Sequence, residues 1–148
     1  MKLKSFKLIA FLLAFITLSA ILPACEKDDD DPDPTPGTIE GLWIGTYTVD
    51  GQPNLGQQYY SLVIKPDGTV INDTKWENQQ HLSVGTWTLN GDSFEATATC
   101  VYGLPVNIDV TETHTAKFDK TNGTITNGTW ENPPPLTGSG TFTLTKVK

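Results

Sequence analysis

Glu112 and His114 stand two residues apart in the stretch 107–118. Ile108, Val110, Ala116 and Phe118 hold its other even positions, and Asn107, Asp109, Thr111, Thr113, Thr115 and Lys117 its odd ones. Alternate side chains of an extended strand share a face, so a carboxyl and an imidazole fall on the apolar side. Burying either one without a partner is costly, so the pair is expected to be partnered, hydrated or turned into a cavity. A place at a barrel rim, or a bulge that reverses the alternation, is the other outcome. Facing a cavity, Glu112 and His114 would orient the polar end of a ligand stacked on Tyr47, Tyr60 and Trp87.

Other residues with chemical potential are few. His81 falls in a predicted loop, 78–81, so a zinc site would have to gather His81, His114, Glu112 and Cys100 from separate elements with no ligand spacing to support it. Glu95 and Glu112 lie on opposite faces by alternation, which argues against paired carboxylates for glycoside cleavage. Neither a serine elbow nor a phosphate-cradling glycine loop is present. The chain is therefore read as a non-enzyme without metal or cofactor. Cys100 shares a face with Phe94, Ala96 and Ala98 and reads as a buried thiol acting as a small hydrophobe. Trp76-Glu77-Asn78 and Trp130-Glu131-Asn132 stand at strand ends beside loops. Their tryptophans either close the barrel ends or, if exposed, offer a sugar-stacking or protein-contact surface.

The elements that must position these side chains are strands. From Thr38 onward no helical periodicity occurs. Short alternating runs rich in Thr, Val, Ile and aromatic residues are broken by Pro66-Asp67-Gly68, Asn90-Gly91 and Asn122-Gly123. Strands are predicted near 41–49, 58–65, 69–73, 84–89, 93–101, 107–118, 124–131 and 140–147. Eight consecutive up-and-down strands suggest a closed antiparallel barrel, with a two-sheet sandwich as the alternative. Alternation puts Trp43, Tyr47, Val49, Tyr60, Leu62, Ile64, Trp87, Leu89, Phe94, Ala96, Ala98, Cys100, Phe142 and Leu144 inside. The stretches 71–78 and 125–132 match at Ile, Trp, Glu and Asn, which is either a repeated hairpin or chance among threonine-rich strands.

The N-terminal segment supplies an address. Lys2, Lys4 and Lys7 precede an apolar run, 8–22, too short for a membrane span and shaped like a secretory signal. Leu22-Pro23-Ala24-Cys25 resembles the lipobox of bacterial lipoproteins, which implies cleavage before Cys25 and lipid on its sulfur. Residues 1–24 are then a signal peptide and 25–37 a lipidated acidic, proline-rich tether, stiff and solvated. A single domain, 38–148, follows. Loss of three lysines takes the formal charge from −7 to −10, and the chain contains no arginine. That composition opposes nucleic-acid binding and excludes bidentate capture of phosphate by arginine. With Cys25 lipidated, Cys100 has no disulfide partner.

The cysteine followed by lysine and an aspartate cluster is similar to the surface-export signal of Bacteroidota lipoproteins. That implies an outer-membrane protein facing outward; a periplasm-facing lipoprotein with a simple acidic linker is the alternative. Gly41-Leu42-Trp43 is similar to the Gly-x-Trp that opens lipocalins. Lys65-Pro66-Asp67-Gly68-Thr69-Val70, residues 85–94 and residues 138–145 look like the lipocalin-like lipoproteins of Bacteroidota, with a calycin-type small β-barrel. The resemblance implies an all-β, lipocalin-like barrel binding a small apolar or aromatic molecule or a glycan fragment. Such a protein would meet the membrane through Cys25 and expose a cavity lined by Tyr47, Tyr60, Trp87, Glu112 and His114. The chain lacks the C-terminal helix pattern and the usual disulfide of lipocalins, and its length implies a narrow barrel. The alternative is a filled barrel that serves an outer-membrane protein partner through Trp76 or Trp130.

Overall fold

The structure, a computed structural model, describes residues 37–148; the lipobox, Cys25 and most of the acidic tether lie outside them. Eight antiparallel strands follow one another around a closed barrel: β1 (Gly41–Tyr47), β2 (Gln58–Ile64), β3 (Thr69–Trp76), β4 (Gln79–Asn90), β5 (Ser93–Tyr102), β6 (Thr111–Asp119), β7 (Thr124–Asn132) and β8 (Gly138–Lys146). Closure is made by β1 against β8, from Trp43 opposite Lys146 to Tyr47 opposite Phe142, which rules out the sandwich. The fold is the all-β, up-and-down barrel expected from the alternating runs, a shape consistent with a lipocalin-like architecture. Closing the sheet pairs both would-be edge strands and leaves no free row of backbone donors.

The two poles differ. At one, the turns after β2, β4 and β6 are short, with Gly68, Gly91 and Gly123 at φ 83°, 64° and 62°, conformations that side chains bearing a Cβ disfavour. The chain enters at this pole. Trp43 is fully buried there, its Nε1 donating to the Ile39 carbonyl at 2.7 Å and its ring meeting Phe118 edge-on at 5.8 Å. The Lys146 ammonium donates to the Thr38 carbonyl at 2.8 Å and lies 5.8 Å over the Trp43 ring. Leu62, Ile64, Val70, Phe94, Ile125 and Leu144 fill the rest of this end as solid core. The opposite pole carries the longer connections, 48–57, 103–110 and 133–137, and is the mouth.

Three elements differ from the sequence expectation. β4 begins at Gln79, not near 84, because Glu77 and Asn78 both take positive φ (47° and 67°) and turn the chain in two residues. Glutamate is an unusual occupant of that conformation, which hid the turn. β6 begins at Thr111, not at 107: Pro105 opens a 3-10 turn, Pro105–Asn107, and Asp109 takes φ 66°, so Ile108 is left exposed. β7 carries an extra residue around Asn127, φ 52°, where pairing shifts from Ile125 opposite Leu144 to Gly128 opposite Phe142. That bulge reverses the alternation, so Ile125 and Trp130, five residues apart, both point inward. In the echoing hairpin, β3 alternates regularly. Trp76 turns inward, while Ile71 lies on the outer face, so the two Ile positions are not equivalent.

Candidate functional site

A cavity of 430 Å³ opens at the mouth, within the size range of small-molecule pockets. Its side walls include Tyr47 of β1, Trp76 of β3, His81 and Ser83 of β4, Cys100 of β5, Glu112 of β6 and Trp130 of β7, with Leu104, Val106 and Asn107 of the 103–110 loop across the top. In the sheet Glu112 stands opposite Ala98, and Ala98 opposite Gly85. Narrowness and a cavity are thus compatible, because the closed half is filled and the mouth half is not.

The floor is a polar chain set among aromatic rings. Tyr60 is buried, stacked on Phe142 at 5.0 Å and 16° between planes. Phe142 has space because β7 passes it with Gly128, where a Cβ would sit 2.6 Å from the ring. Asn72 Nδ2 donates to the Tyr60 hydroxyl at 3.2 Å, and the hydroxyl lies 2.9 Å from His114 Nδ1. The hydroxyl, accepting from Asn72, either donates to His114 Nδ1, with the imidazole proton on Nε2, or accepts from Nδ1–H on its second lone pair. That Nε2 is buried without a hydrogen-bond partner and stands 3.8 Å from Glu112 Oε2. Asn72 Oδ1 and Asn132 Oδ1 are likewise buried and unpartnered among the described residues.

Burial sets the charge states. It pushes the Glu112 carboxyl up to about 7 and the His114 imidazole down to about 4, so near neutrality the histidine is uncharged and the carboxyl is poised between its two forms. The Tyr47 hydroxyl is pushed up to about 12, first by burial and then by the neighbouring Glu112 charge, and Tyr60 is raised for the same two reasons. Glu112 keeps 27 % side-chain exposure while His114 keeps 1 %, so the cavity reaches the carboxyl and ends on it.

The aromatic walls are fixed from behind. Tyr47 donates its hydroxyl to the Lys75 carbonyl at 3.1 Å, and Trp130 Nε1 donates to the Thr48 carbonyl at 3.0 Å. Their rings meet edge-on at 5.9 Å. His81 is a strand residue, buried on the cavity side. Asn107 Nδ2 reaches its Nε2 at 3.1 Å, Gly103 passes so close that a Cβ would lie 2.2 Å from the ring, and burial lowers its pKa.

Of the residues expected to line a lumen, Tyr47, Tyr60 and Glu112 do so, and His114 lies beneath them. Trp87 does not: it belongs to the closed pole, where its Nε1 donates to the Lys65 carbonyl at 2.9 Å. The reason is distance along β4, six residues from His81, since alternation gives the face and not the depth. Trp76 and Trp130, expected either to close the barrel end or to stand exposed as contact residues, point into the cavity at the mouth. Asn72, Thr74 and Trp76 continue the inward alternation from Val70, a signal that polar residues obscured, whereas nothing local in the sequence announces the β7 bulge. Cys100 is a free, buried thiol that donates to the Tyr102 carbonyl at 3.4 Å, and burial raises its pKa, the opposite of an activated nucleophile. Among the described residues no group of three or more His, Cys, Asp or Glu is placed to hold a metal ion. Compared with known protein families, curated proteins and solved structures, the chain matches none.

Proposed function

We propose that the protein is a lipid-anchored carrier or sensor barrel of a Bacteroidota outer membrane, facing the cell exterior, that binds a small ligand at its mouth and performs no catalysis. The observation that carries this reading is the cavity itself: preformed, walled by hydrogen-bonded aromatic rings and ending on the polar chain Asn72–Tyr60–His114–Glu112. Aromatic faces hold a ligand's body while a few convergent polar groups fix its orientation. A non-enzymatic role is supported by the lack of a nucleophile or an acid–base partner beside Glu112: His114 is buried as a neutral base outside hydrogen-bond reach of the carboxyl, and the Cys100 thiol is protonated. A tether from Cys25 would join the barrel at Gly37, on the pole opposite the mouth, which leaves the cavity free of the attachment point.

Native mass spectrometry of the protein purified from its own cells, beside Glu112→Ala, tests the binding reading. A co-purifying small molecule that is lost in the variant is expected; a bare mass in both proteins overturns it. For the anchor, Cys25→Ser is expected to move the protein from the membrane fraction to the soluble one.

A second reading, contact with a protein partner, is favoured by one observation. Val101, Tyr102 and Val106 are 54 %, 63 % and 65 % exposed at the rim of the mouth, an apolar cluster where polar residues are the norm. A partner there would cover the cavity. Tyr102→Ser with Val106→Ser is then expected to abolish a discrete higher-mass band in native gels of the membrane fraction.

A further inference from the structure

We propose that the ligand is an organic cation, an amine or quaternary ammonium on a small aromatic or aliphatic body, with its charged nitrogen held between the ring faces of Tyr47, Trp76 and Trp130 and the carboxylate of Glu112. This rests on the binding reading above and specifies its ligand. Three observations lead to it.

The first is the distribution of charge. Asp50, Glu77, Asp109, Glu112 and Glu131 lie at the mouth pole, whereas at the other Asp67, Asp92 and Asp119 are offset by Lys65, Lys117, Lys120, Lys146 and Lys148. Lys75 is the one lysine near the mouth among the described residues, and its ammonium lies outside the barrel, 5.6 Å over the Tyr59 ring. The chain has no arginine, and His81, on the cavity wall, is kept neutral by burial. An anionic headgroup entering the mouth would therefore meet carboxylates with no cation to receive it, while a cation is drawn in.

The second is the chemistry of the walls. Tyr47 and Trp130 have their polar atoms tied to backbone carbonyls, so each offers the cavity its ring, and the two rings meet nearly at right angles. Perpendicular aromatic faces beside a carboxylate form the arrangement that attracts an ammonium through the ring quadrupoles. Because the rings are already held, little ordering cost falls on binding.

The third is the floor. Among the described residues Glu112 has no cationic partner: its neighbour His114 presents a neutral Nε2 that stands at 3.8 Å and has no hydrogen-bond partner among them. A neutral apolar occupant would cover both groups and leave both unsatisfied, which is unfavourable. An ammonium satisfies the carboxylate directly.

The test is calorimetric titration of the purified chain at pH 8 with 2-phenylethylamine and phenethyltrimethylammonium, against 3-phenyl-1-propanol as the neutral control and 3-phenylpropionate as the anionic one. Both cations are expected to bind about tenfold or more tighter than the alcohol, with the carboxylate weakest. Glu112→Gln, close to isosteric and facing the cavity, is expected to remove most of that preference while leaving the alcohol unchanged. Trp76→Leu, which keeps the carboxyl, is expected to weaken the quaternary ammonium more than the alcohol. Alcohol or carboxylate binding as tightly as the cations overturns the inference and leaves the binding barrel standing; so does a cation preference that survives Glu112→Gln. No binding by any probe, together with a bare native mass, overturns both.

Discussion

Glu112 carries the sharpest expectation at the scale of single residues. Its folded pKa, about 7, lies above the ordinary carboxylate value, so the fold prefers the protonated form. The associated stability is present below the unfolded pKa and is lost as pH rises through 7. His114 runs the other way: its pKa is lowered to about 4, so stability is lost as pH falls from the ordinary imidazole value through 4. The two trends oppose each other between pH 4.5 and 6.5, and only Glu112 acts from there up to about 7, where its own loss is complete. Glu112→Gln is therefore expected to gain roughly 2–3 kcal/mol over the wild type between pH 5 and pH 8 in denaturant melts. An unchanged difference would mean that the carboxyl ionises freely in the fold. Cys100 gives a second check at this scale. Buried and with its thiol pKa raised, it is expected to react slowly with Ellman's reagent in the native protein and quickly in guanidinium. The inward placement of Glu112 and His114 was legible from alternation alone, because Ala116 and Phe118 mark the face. The Asn72–Tyr60–His114 link was not, since Tyr60 and Asn72 lie on β2 and β3, far away in the chain.

Strands that approach closely demand glycine, and this shows at the scale of elements. At Gly85 on β4 a Cβ would lie 1.8 Å from the Thr97 carbonyl oxygen of β5, a backbone atom that cannot swing aside. Gly85→Ala is expected to destabilise the barrel by on the order of 3 kcal/mol, read as a fall in the urea midpoint. A near-neutral effect would indicate that β4 and β5 separate more easily than their pairing implies. Six of the eight strands fall close to where composition and turn residues place them, since Asp-Gly and Asn-Gly turns announce themselves. β4 and β6 begin elsewhere because their boundaries rest on unusual occupants: Glu77 in a left-handed conformation, and Pro105 with Asp109 in an irregular loop. The β7 bulge is the most consequential of these local events, because one extra residue decides whether Trp130 faces solvent or the cavity.

At the scale of the whole molecule the barrel is one closed sheet around one core, so unfolding is expected to be cooperative. Tryptophan emission, which samples Trp43 at the closed pole and Trp130 at the mouth, should lose its native value at the same urea concentration as the far-UV circular dichroism signal. Separate transitions would show that the mouth half opens independently. Refolding in the millisecond-to-second range is expected, because β1 must find β8 across almost the whole domain. The sequence by itself determined the strand content, most turns and the inward face of each regular strand, and it favoured a closed up-and-down barrel over the sandwich that the β1–β8 pairing then excluded. These follow from local chemistry: period-two alternation, turn residues with positive φ, and the need to hide strand edges. Only the tertiary structure decided how deep each inward residue sits, which put Trp87 in the solid pole and Trp76 and Trp130 in the wall of the cavity. Depth depends on strand tilt, stagger and bulges summed around the ring, a property of the closed sheet that no single strand carries.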